Sequence, residues 1–334
     1  MRGAGFEIAL ETIRRENLSR MSSEISDYMQ RRDVALNVIS QFFGIAVTLS
    51  NIDVSQTALE VKRKFIRDAE TLYEAGTAIP NEIAKAEVQY LNEELRLVNQ
   101  KQNLENQIES LLEVLGLPLD TPISFAFDLE KLVDSRVAAI PDRESAVQEA
   151  LAKRPELLIT DINVRSSEIA LNSARNATLP NLDLQASYAD TETQPHFGDL
   201  NMDEHRVWTA GVSLAVPLPN IRLKEAAKRA ELSLETAKTN RIIRQRQIVQ
   251  EVDRQLRQLS ASEQSIELLR RTVEQAEFNF KQESELFVYG ERTSNQVRDA
   301  QDDYFAAKEE FNRQIINYQS AIAQIYKALG RSLF

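Results

Sequence analysis

The second half of this sequence repeats part of the first half. LYEAGTAIPNEIAKAEVQY at 72–90 and LFVYGERTSNQVRDAQDDY at 286–304 carry the same residue at five positions, at a constant offset of 214 (290 − 76). The matched pairs are Leu72 and Leu286, Gly76 and Gly290, Asn81 and Asn295, Ala86 and Ala300, and Tyr90 and Tyr304. Carried forward, the offset places Leu115-Gly116 on Leu329-Gly330 without a gap. One helical hairpin is therefore predicted to occur twice. Duplicated units are typical of scaffolds and conduits rather than of catalysts.

Composition limits the classes of protein to which this chain can belong. Its 334 residues are enough for one large domain or two ordinary ones. With 40 Lys and Arg against 51 Asp and Glu, the formal net charge is −11. This charge argues against a nucleic-acid-binding protein, because such a protein needs a concentrated basic face. Cysteine is absent, which excludes thiol chemistry and suits an oxidising compartment.

Long stretches without Pro predict long helices. Residues 6–73 contain no Pro and a single Gly, and apolar residues recur there at steps of three and four. At 1.5 Å per residue this helix would be on the order of 100 Å long, too long for a compact core. It is therefore predicted to lie against other helices as a coiled-coil wall. The other predicted helices are 81–115, 143–176 with a break near Arg154-Pro155, 223–289 and 294–329.

Two segments change to a period of two, which is typical of strands with one apolar and one polar face. Their apolar residues are Leu182, Leu184, Ala186 and Tyr188 in the first, and Trp208, Ala210, Val212, Leu214 and Val216 in the second. The acidic connection, residues 190–206, is predicted to be an exposed loop. A two-stranded hairpin is not stable alone in water. One with such a pattern fits the wall of a membrane β-barrel that several chains complete.

No transmembrane helix or signal peptide is expected in this sequence. The best apolar run, residues 42–49, is far too short to cross a bilayer. Residues 1–5 lead directly into an amphipathic helix, without the pattern of a secretory signal. Either the protein is cytosolic or its N-terminal part has been removed.

Four short stretches carry a resemblance to a known family. They are ALAKRPEL at 150–157, ARNATLPNLDLQASY at 174–188, WTAGVSLAVPL at 208–218 and YGERTSNQVRDAQ at 289–301. Each stretch is weak alone, but in this order and spacing they resemble the TolC-like outer-membrane efflux proteins over nearly the whole chain. The resemblance implies that three chains form one tube, in which a β-barrel in the outer membrane continues into an α-helical barrel across the periplasm.

The predicted fold is mainly α. Long antiparallel helical hairpins form an α-barrel wall, and one two-stranded β-hairpin contributes to a membrane β-barrel. The predicted domains are a first helical-hairpin repeat at 1–116, an irregular connector at 117–142, and a second repeat at 143–334 with its β-hairpin at about 181–217 and its helical hairpin at about 222–330. Family members have two strand hairpins per chain, and here the offset of 214 places the counterpart of Val216 at Arg2. The chain is therefore expected to lack an N-terminal part that includes the first β-hairpin and the signal peptide.

The resemblance implies that the two hairpin turns form a periplasmic tip and gate. In the family, polar links between tip helices hold the closed end, and acidic residues narrow the opening. Arg292 matches the family's arginine and Asp299 one of its two aspartates, whereas Gln296 replaces the other. Glu82 lies where the family has an acid. We expect Arg292 to pair with an acid such as Glu82 from a neighbouring helix and Asp299 to face the lumen. The alternative is ordinary surface charges, worth about 0–1 kcal/mol per pair.

The same turns are expected to dock a periplasmic adaptor protein, because Gly76 and Gly290 allow the backbone to turn tightly. The alternative is that both glycines have only a structural role in the turn. Tyr188, Phe197 and Trp208 lie near the strand ends, where they form either a membrane-interface belt or a simple packing contact between strands.

Nothing in the sequence predicts catalysis. His196 and His205 lie nine residues apart in the predicted loop, without the pattern of a metal site. The GAG sequence at 3–5 is not a dinucleotide motif, because no strand precedes it. No catalytic residue, metal or cofactor is predicted, and the chain is not expected to be an enzyme.

The predicted function is that of the outer-membrane channel component of a tripartite efflux or secretion system, a passive export duct. The expected partners are sister chains in a homotrimer, a periplasmic adaptor (membrane fusion) protein, an inner-membrane pump and outer-membrane lipid, with no nucleic acid. The predicted location is the outer membrane, extending into the periplasm. The alternative is a soluble coiled-coil scaffold or a periplasmic adaptor protein. That alternative explains the helices and the acidity, but neither the alternating hairpin nor the repeat.

Overall fold

A computed structural model describes residues 10–76, 80–126, 141–190 and 206–331. The helices and strands within these ranges are α1 Glu11–Glu74, α2 Pro80–Leu115, α3 Arg143–Lys153, α4 Pro155–Asn176, β1 Asn181–Asp190, β2 Arg206–Ala215, α5 Ile221–Val288 and α6 Ser294–Leu329. The mainly α fold with one β-hairpin is confirmed. The predicted ends of the long helices agree with the observed ends within two residues. The predicted start of the first helix falls among residues 1–9, outside the described residues.

The repeat is visible in the bounds of the helices. α2 and α6 each contain 36 residues, and their first and last residues are 214 positions apart (294 − 80 and 329 − 115). α1 and α5 also end 214 positions apart, at Glu74 and Val288. The two copies therefore keep one helix–turn–helix register, although most residues around the turn have changed.

Four described glycines with positive φ form two pairs that the repeat relates. At the tips, Gly76 and Gly290 both have a φ of 74°, and each amide donates to the carbonyl oxygen three residues earlier at 2.9 Å. At the far ends of α2 and α6, Gly116 and Gly330 have φ values of 68° and 72° and make the same bond at 3.0 Å. A side chain at this φ costs about 1–2 kcal/mol. This cost explains why glycine occurs at both positions in both copies.

The backbone divides into two compact units. One comprises Met1–Tyr28 and Pro155–Gln247, and the other comprises Met29–Arg154 and Ile248–Phe334. This division follows spatial contacts, whereas the predicted domain boundaries follow the repeat. Those predicted boundaries stay a prediction.

The first unit contains α4, the β-hairpin and the adjoining ends of the long helices. Polar contacts join α4 to α5, because Arg241 Nε donates to Asp161 and Asn220 Nδ2 donates to the Thr178 carbonyl at 3.1 Å. The contact between Asn220 and Thr178 joins the segment that leads into β1 to the segment that follows β2. The apolar residues buried in this unit include Leu157, Ile162, Leu171 and Leu234.

The β-hairpin brings the apolar residues of the two alternating segments onto one face, as the pattern predicts. On one face the cross-strand pairs are Leu182 with Leu214, Leu184 with Val212, Ala186 with Ala210 and Tyr188 with Trp208. On the other face the pairs include Asp183 with Ser213, Gln185 with Gly211 and Ser187 with Thr209. All eight residues of the first face are exposed, Leu184 at 82% and Trp208 at 78%. The hairpin therefore presents a continuous apolar face that the described residues leave exposed.

The second unit is built from the two helical hairpins and α3. α1 and α2 form the first hairpin, α5 and α6 form the second, and α3 packs against α6. Its largest fully buried side chains include Ile45, Val54, Leu112, Ile248, Val252, Ile315, Ile325 and Leu329. The two hairpins meet where Val54 and Ala58 of α1 pack against Phe305 of α6.

One part of α1 corrects the expectation that no segment is apolar enough to cross a membrane. An 18-residue window of this helix reaches a mean hydropathy of 1.4 with at most two charged residues. Residues 34–52 carry no charged side chain. Ser, Gln, Thr and Asn interrupt the apolar residues there, so the longest unbroken apolar run is much shorter than the uncharged segment. In the second unit this segment packs against other helices. Thr48 donates to Gln107 Oε1 at 2.9 Å, and Ser50 accepts from Asn312 at 2.8 Å.

Candidate functional site

Both hairpin turns lie at the same end of the second unit. The rings of Phe65, which precedes Gly76, and Phe287, which precedes Gly290, are 4.9 Å apart between centroids. One cavity is also lined both by Glu82, just after the first turn, and by residues 294, 295 and 298, just after the second. The turns that the repeat relates therefore form one tip, as the repeat of the hairpin predicts.

Arg292 forms its ion pair within its own hairpin. Its Nε lies 2.9 Å from Glu283 Oε2, across the turn at the end of α5. Glu283 was not among the predicted site residues. Within this chain Arg292 thus has a partner other than Glu82, and a pair between Arg292 and an acid such as Glu82 of a neighbouring subunit stays a prediction. The sequence did offer a signal for this pair. Glu283 is an acid near the end of α5, and Arg292 lies in the turn that follows that helix.

Gln296 has a structural role that the resemblance did not imply. It is the third residue of α6, and its Oε1 accepts hydrogen bonds from the backbone amide and the hydroxyl of Thr293, each at 3.0 Å. The amide of Thr293 would otherwise lie unpaired before the first helical turn. The T-x-x-Q spacing of a capping box could have predicted this contact. Glutamine at this position stabilises the start of α6.

Asp299 is exposed and lies beside a second arginine. Arg298 Nη2 lies 2.7 Å from Asp299 Oδ1, and Arg298 Nη1 donates to Asn295 Oδ1 at 3.1 Å. Arg298 and Glu82 line the same cavity at the tip. The tip therefore brings together a mixed set of charges, Glu82, Arg298 and Asp299, and the predicted lumen-facing role of Asp299 stays a prediction.

A groove with an apolar floor lies next to this cavity, between α1, α5 and α6. Phe65, Phe280 and Phe287 contribute aromatic side chains to it, and Val288 and Val297 add aliphatic ones. The charged residues at its margin are Lys64, Asp68, Lys281 and Glu285. An apolar floor with charges of both signs at the rim suits the docking of an amphipathic helix.

An ionic network crosses the second unit between α1, α2 and α6. Lys62, which is 6% exposed, places its Nζ 3.2 Å from Asp302 Oδ1 and 3.9 Å from Glu93 Oε2. Arg96 Nη2 lies 2.6 Å from Glu93 Oε1 and 3.1 Å from Glu309 Oε1. Burial raises the pKa of Glu309, and the neighbouring Arg96 opposes that rise. The network ties α6 to both helices of the first hairpin.

At the other end of α6, the buried side chain of Arg154 closes the helix. Its guanidinium donates to the carbonyl oxygens of Lys327 and Ala328, both at 3.3 Å, and to Glu251 Oε2 at 2.9 Å. Those carbonyls belong to the last turn of α6, where backbone acceptors lack helical partners. Next to them, a Cβ added to Gly330 would lie 3.0 Å from the backbone carbon of Lys153.

Arg331 and Glu149 form a second bond at this junction. Arg331 donates from Nε and Nη2 to the two carboxylate oxygens of Glu149, at 2.9 and 2.8 Å, and Lys153 Nζ lies 2.8 Å from the same carboxylate. The hydrogen bond from Arg331, followed by that from Lys153, lowers the pKa of Glu149 from 4.5 to about 2. Glu149 therefore stays ionised through the neutral and mildly acidic range and holds α3 to the end of α6.

The aromatic residues of the β-hairpin contact each other. The rings of Tyr188 and Trp208 are 4.8 Å apart between centroids, at the loop end of the sheet. The packing contact between strands is thus present, and a membrane-interface belt stays a prediction. Phe197, His196 and His205 lie outside the described residues.

Comparison with known proteins agrees with this architecture. The family model for outer membrane efflux proteins matches residues 146–331, more than half of the chain. Outer membrane protein TolC of Escherichia coli (strain K12) is 22% identical over 328 residues, which cover 94% of this chain and 65% of TolC. The chain thus spans less than two thirds of the length of that curated relative.

Solved structures share the fold at low sequence identity. The outer-membrane channel OprN has a TM-score of 0.85 at 13% identity, over 98% of this chain and 72% of OprN. Outer membrane protein VceC of Vibrio cholerae has a TM-score of 0.83 at 15% identity, over 98% of this chain and 77% of VceC. The CmeC outer membrane channel of Campylobacter jejuni has a TM-score of 0.77 at 17% identity, over 97% of this chain and 68% of CmeC. With its duplicated helical hairpins, its apolar strand pair and these matches, the chain belongs to the outer membrane efflux protein family.

Proposed function

We propose that this chain is the outer-membrane channel component of an efflux or secretion system, a passive duct across the periplasm and the outer membrane. The observation that carries the proposal is the exposed apolar face of the β-hairpin, from Leu182 to Trp208. A pair of strands with open edges is stable in a membrane only when other strands close the sheet into a barrel. Lipid then covers the apolar face, and the polar face lines the lumen.

Assembly as a homotrimer supplies those strands. Each chain contributes its β-hairpin to one barrel, and the helical hairpins continue the wall. The chain carries out no chemistry in this function, and energy for export comes from an inner-membrane pump. The groove around Phe65, Phe280 and Phe287 docks a helical hairpin of a periplasmic adaptor protein, next to the turns at Gly76 and Gly290.

The lipid-facing role of the hairpin is tested with two neighbouring residues on opposite faces. Leu184→Arg is expected to reduce the amount of the full-length protein in the outer-membrane fraction, because an arginine near the middle of a lipid-facing strand costs about 2–4 kcal/mol. Gln185→Arg places the same charge on the other face of the same strand. Gln185→Arg is expected to leave insertion unchanged.

Cell fractionation of the two variants beside the parent protein measures the difference. Equal loss with both substitutions would point to general damage to the sheet rather than to lipid contact. A parent protein that stays in the soluble fraction would contradict the channel and favour a soluble coiled-coil scaffold.

The tip residues Glu82, Arg292, Gln296 and Asp299 form the gate in this proposal. Arg292→Ala removes the contact with Glu283 and any link to an acid of a neighbouring subunit. A contact worth up to about 1 kcal/mol shifts the equilibrium between closed and open states about fivefold. We therefore expect a higher resting conductance of the full-length channel in a planar bilayer.

Arg271→Ala is the matched control for the gate. Arg271 lies on α5 and, like Arg292, pairs with a glutamate of that helix, Glu267, at 3.0 Å, but both side chains of this pair are exposed and lie one helical turn apart. Its removal is expected to leave conductance unchanged. If Arg292→Ala behaved like Arg271→Ala, the gate role of Arg292 would be wrong.

A further inference from the structure

A buried amide beside the groove between α1, α5 and α6 lacks a hydrogen-bond partner. Gln301 of α6 is 3% exposed, and its Nε2 has no partner among the described residues. The side chain lines both this groove and the neighbouring cavity that Glu82 lines. Buried polar side chains are rarely unpaired in folded proteins, so this donor calls for an explanation.

The packing around Gln301 does not account for an amide. Val297 and Phe287, which line the groove with it, are apolar and are 2% and 3% exposed. The residue that the repeat relates to Gln301 is Glu87 (301 − 214), which is exposed, so the hairpin itself does not need a buried polar residue here. A leucine would fill a similar volume without leaving a buried donor unpaired.

The aromatic floor of the groove is also specific to the second copy of the hairpin. The rings of Phe65 and Phe287 are 4.9 Å apart between centroids, and Phe280 lines the groove with them. The residues that the repeat relates to Phe65, Phe287 and Phe280 are Asn279, Tyr73 and Ile66. Duplication of the hairpin therefore explains neither the aromatic floor nor the buried amide beside it.

The size of the groove limits what it can hold. Its volume is about 290 Å³. An apolar cavity of about 150 Å³ holds one benzene molecule, and sites for drug-sized ligands start at about 300 Å³. A molecule with about two fused aromatic rings therefore fits the groove.

The charges at the margin of the groove do not favour a charged molecule. Lys64 and Lys281 are balanced by Asp68 and Glu285. Lys281 is in addition paired with Glu277, at 2.6 Å. An uncharged molecule loses no charge hydration when it enters such a site, so it is the better match for this rim.

We propose that this groove binds a small, uncharged molecule of two fused aromatic rings, and that Nε2 of Gln301 donates a hydrogen bond to an acceptor atom of that molecule. Aromatic contacts with the floor hold the rings. The amide then selects among molecules of one shape, because a molecule without an acceptor leaves the buried donor unpaired. The inference does not depend on the proposed function, although a molecule bound here would exclude the adaptor hairpin.

Protection of a thiol from alkylation tests the site, because the sequence contains no cysteine. In the purified full-length protein, Ser284→Cys places one thiol in the lining of the groove, where Ser284 is half-buried. The probe is quinoline, which has two fused rings and a ring nitrogen that accepts a hydrogen bond. We expect quinoline to slow alkylation of Ser284→Cys. Ser260→Cys, at an exposed position of α5 outside the groove, is the control and is expected to react at an unchanged rate.

Naphthalene tests the role of the amide, because it has the shape of quinoline but no acceptor. Half-maximal protection is expected to need about ten times more naphthalene than quinoline, which corresponds to the loss of one hydrogen bond. In the double variant Gln301→Leu/Ser284→Cys, the difference between the two molecules is expected to disappear. Equal protection of Ser284→Cys by both molecules would overturn the role of Gln301.

The stability of Gln301→Leu separates a ligand-binding role from a structural one. Leucine removes the unpaired donor, so denaturant titration is expected to find the variant at least as stable as the parent protein. A clear loss of stability would show that the amide supports the fold, and it would overturn the proposal.

The outcome at Ser284→Cys is independent of the channel function. An alkylation rate that quinoline leaves unchanged would mean that water alone occupies the groove, and it would overturn the site. If the parent protein is then recovered in the outer-membrane fraction, the channel still stands. Protection by quinoline of a protein that is recovered in the soluble fraction would support the site and overturn the channel.

Discussion

Replacing Arg154 with alanine is expected to lower the free energy of unfolding by about 3–5 kcal/mol, the range for breaking a buried ion pair. Arg154 is 2% exposed. Its removal leaves the carbonyl oxygens of Lys327 and Ala328 without their side-chain donor and leaves Glu251 without its cation. Denaturant titration of the detergent-solubilised protein, followed by circular dichroism, measures the loss.

Two further variants identify the cause of this loss. Arg154→Lys keeps the charge, but an ammonium group cannot reach two carbonyls and a carboxylate in the planar geometry of a guanidinium, so an intermediate loss is expected. Arg143→Ala removes an arginine that also bonds a carboxylate, Asp253, at 2.8 Å, but from a side chain that is 63% exposed. Its loss is expected to be about 0–1 kcal/mol. An Arg154→Ala protein as stable as Arg143→Ala would contradict the capping role.

The second large effect is expected at Lys62. Lys62→Met is expected to lower the free energy of unfolding by about 3 kcal/mol, at the lower end of the range for a broken buried pair. Methionine has a similar volume, so the loss comes from electrostatics rather than from a cavity. The carboxylate of Glu93 is 8% exposed and loses one of its two cations, and Arg96 remains. Asp302 is 51% exposed and is solvated by water after the change.

Neutralising Glu93 as well should restore part of that stability. The double variant Lys62→Met/Glu93→Gln removes the buried negative charge together with its cation, and it is expected to be more stable than Lys62→Met alone. Lys281→Met is the surface control. Lys281 lies 2.6 Å from Glu277, but its side chain is 64% exposed, so about 0–1 kcal/mol is expected. A Lys62→Met protein with no greater loss than Lys281→Met would show that the network does not stabilise the helix contacts.

The elements of this fold follow from local signals in the sequence. Gly and Pro punctuate the helices, and the helix-to-strand change of period marks β1 and β2, so their bounds could be predicted from a few neighbouring residues. The alternation predicted which strand residues share a face, because shifting one strand by a single residue would exchange its two faces. The offset of 214 extended these local signals across the chain and predicted that Gly76 and Gly290 lie at one end.

The polar contacts of the site could not be predicted in the same way. Lys62 bonds residues 31 and 240 positions further along the chain (93 − 62 and 302 − 62), and Arg154 bonds residues 173 and 174 positions away. No pattern in a window of sequence relates such partners, because packing of the hairpins decides which charged residues meet. Arg292 illustrates the difference. Its importance was predicted by resemblance, but its partner within the chain, Glu283, was not.

The two turns at the tip share the positive φ of Gly76 and Gly290, but the helices that follow them start with different side chains. Pro80 starts α2, whereas Thr293 and Gln296 form the polar start of α6. In a homotrimer, six such turns would form a ring in which the two types of turn alternate. The tip then has three-fold rather than six-fold symmetry. A partner that presents the same hairpin six times would meet two chemically different binding sites. Its copies would then bind with two different affinities.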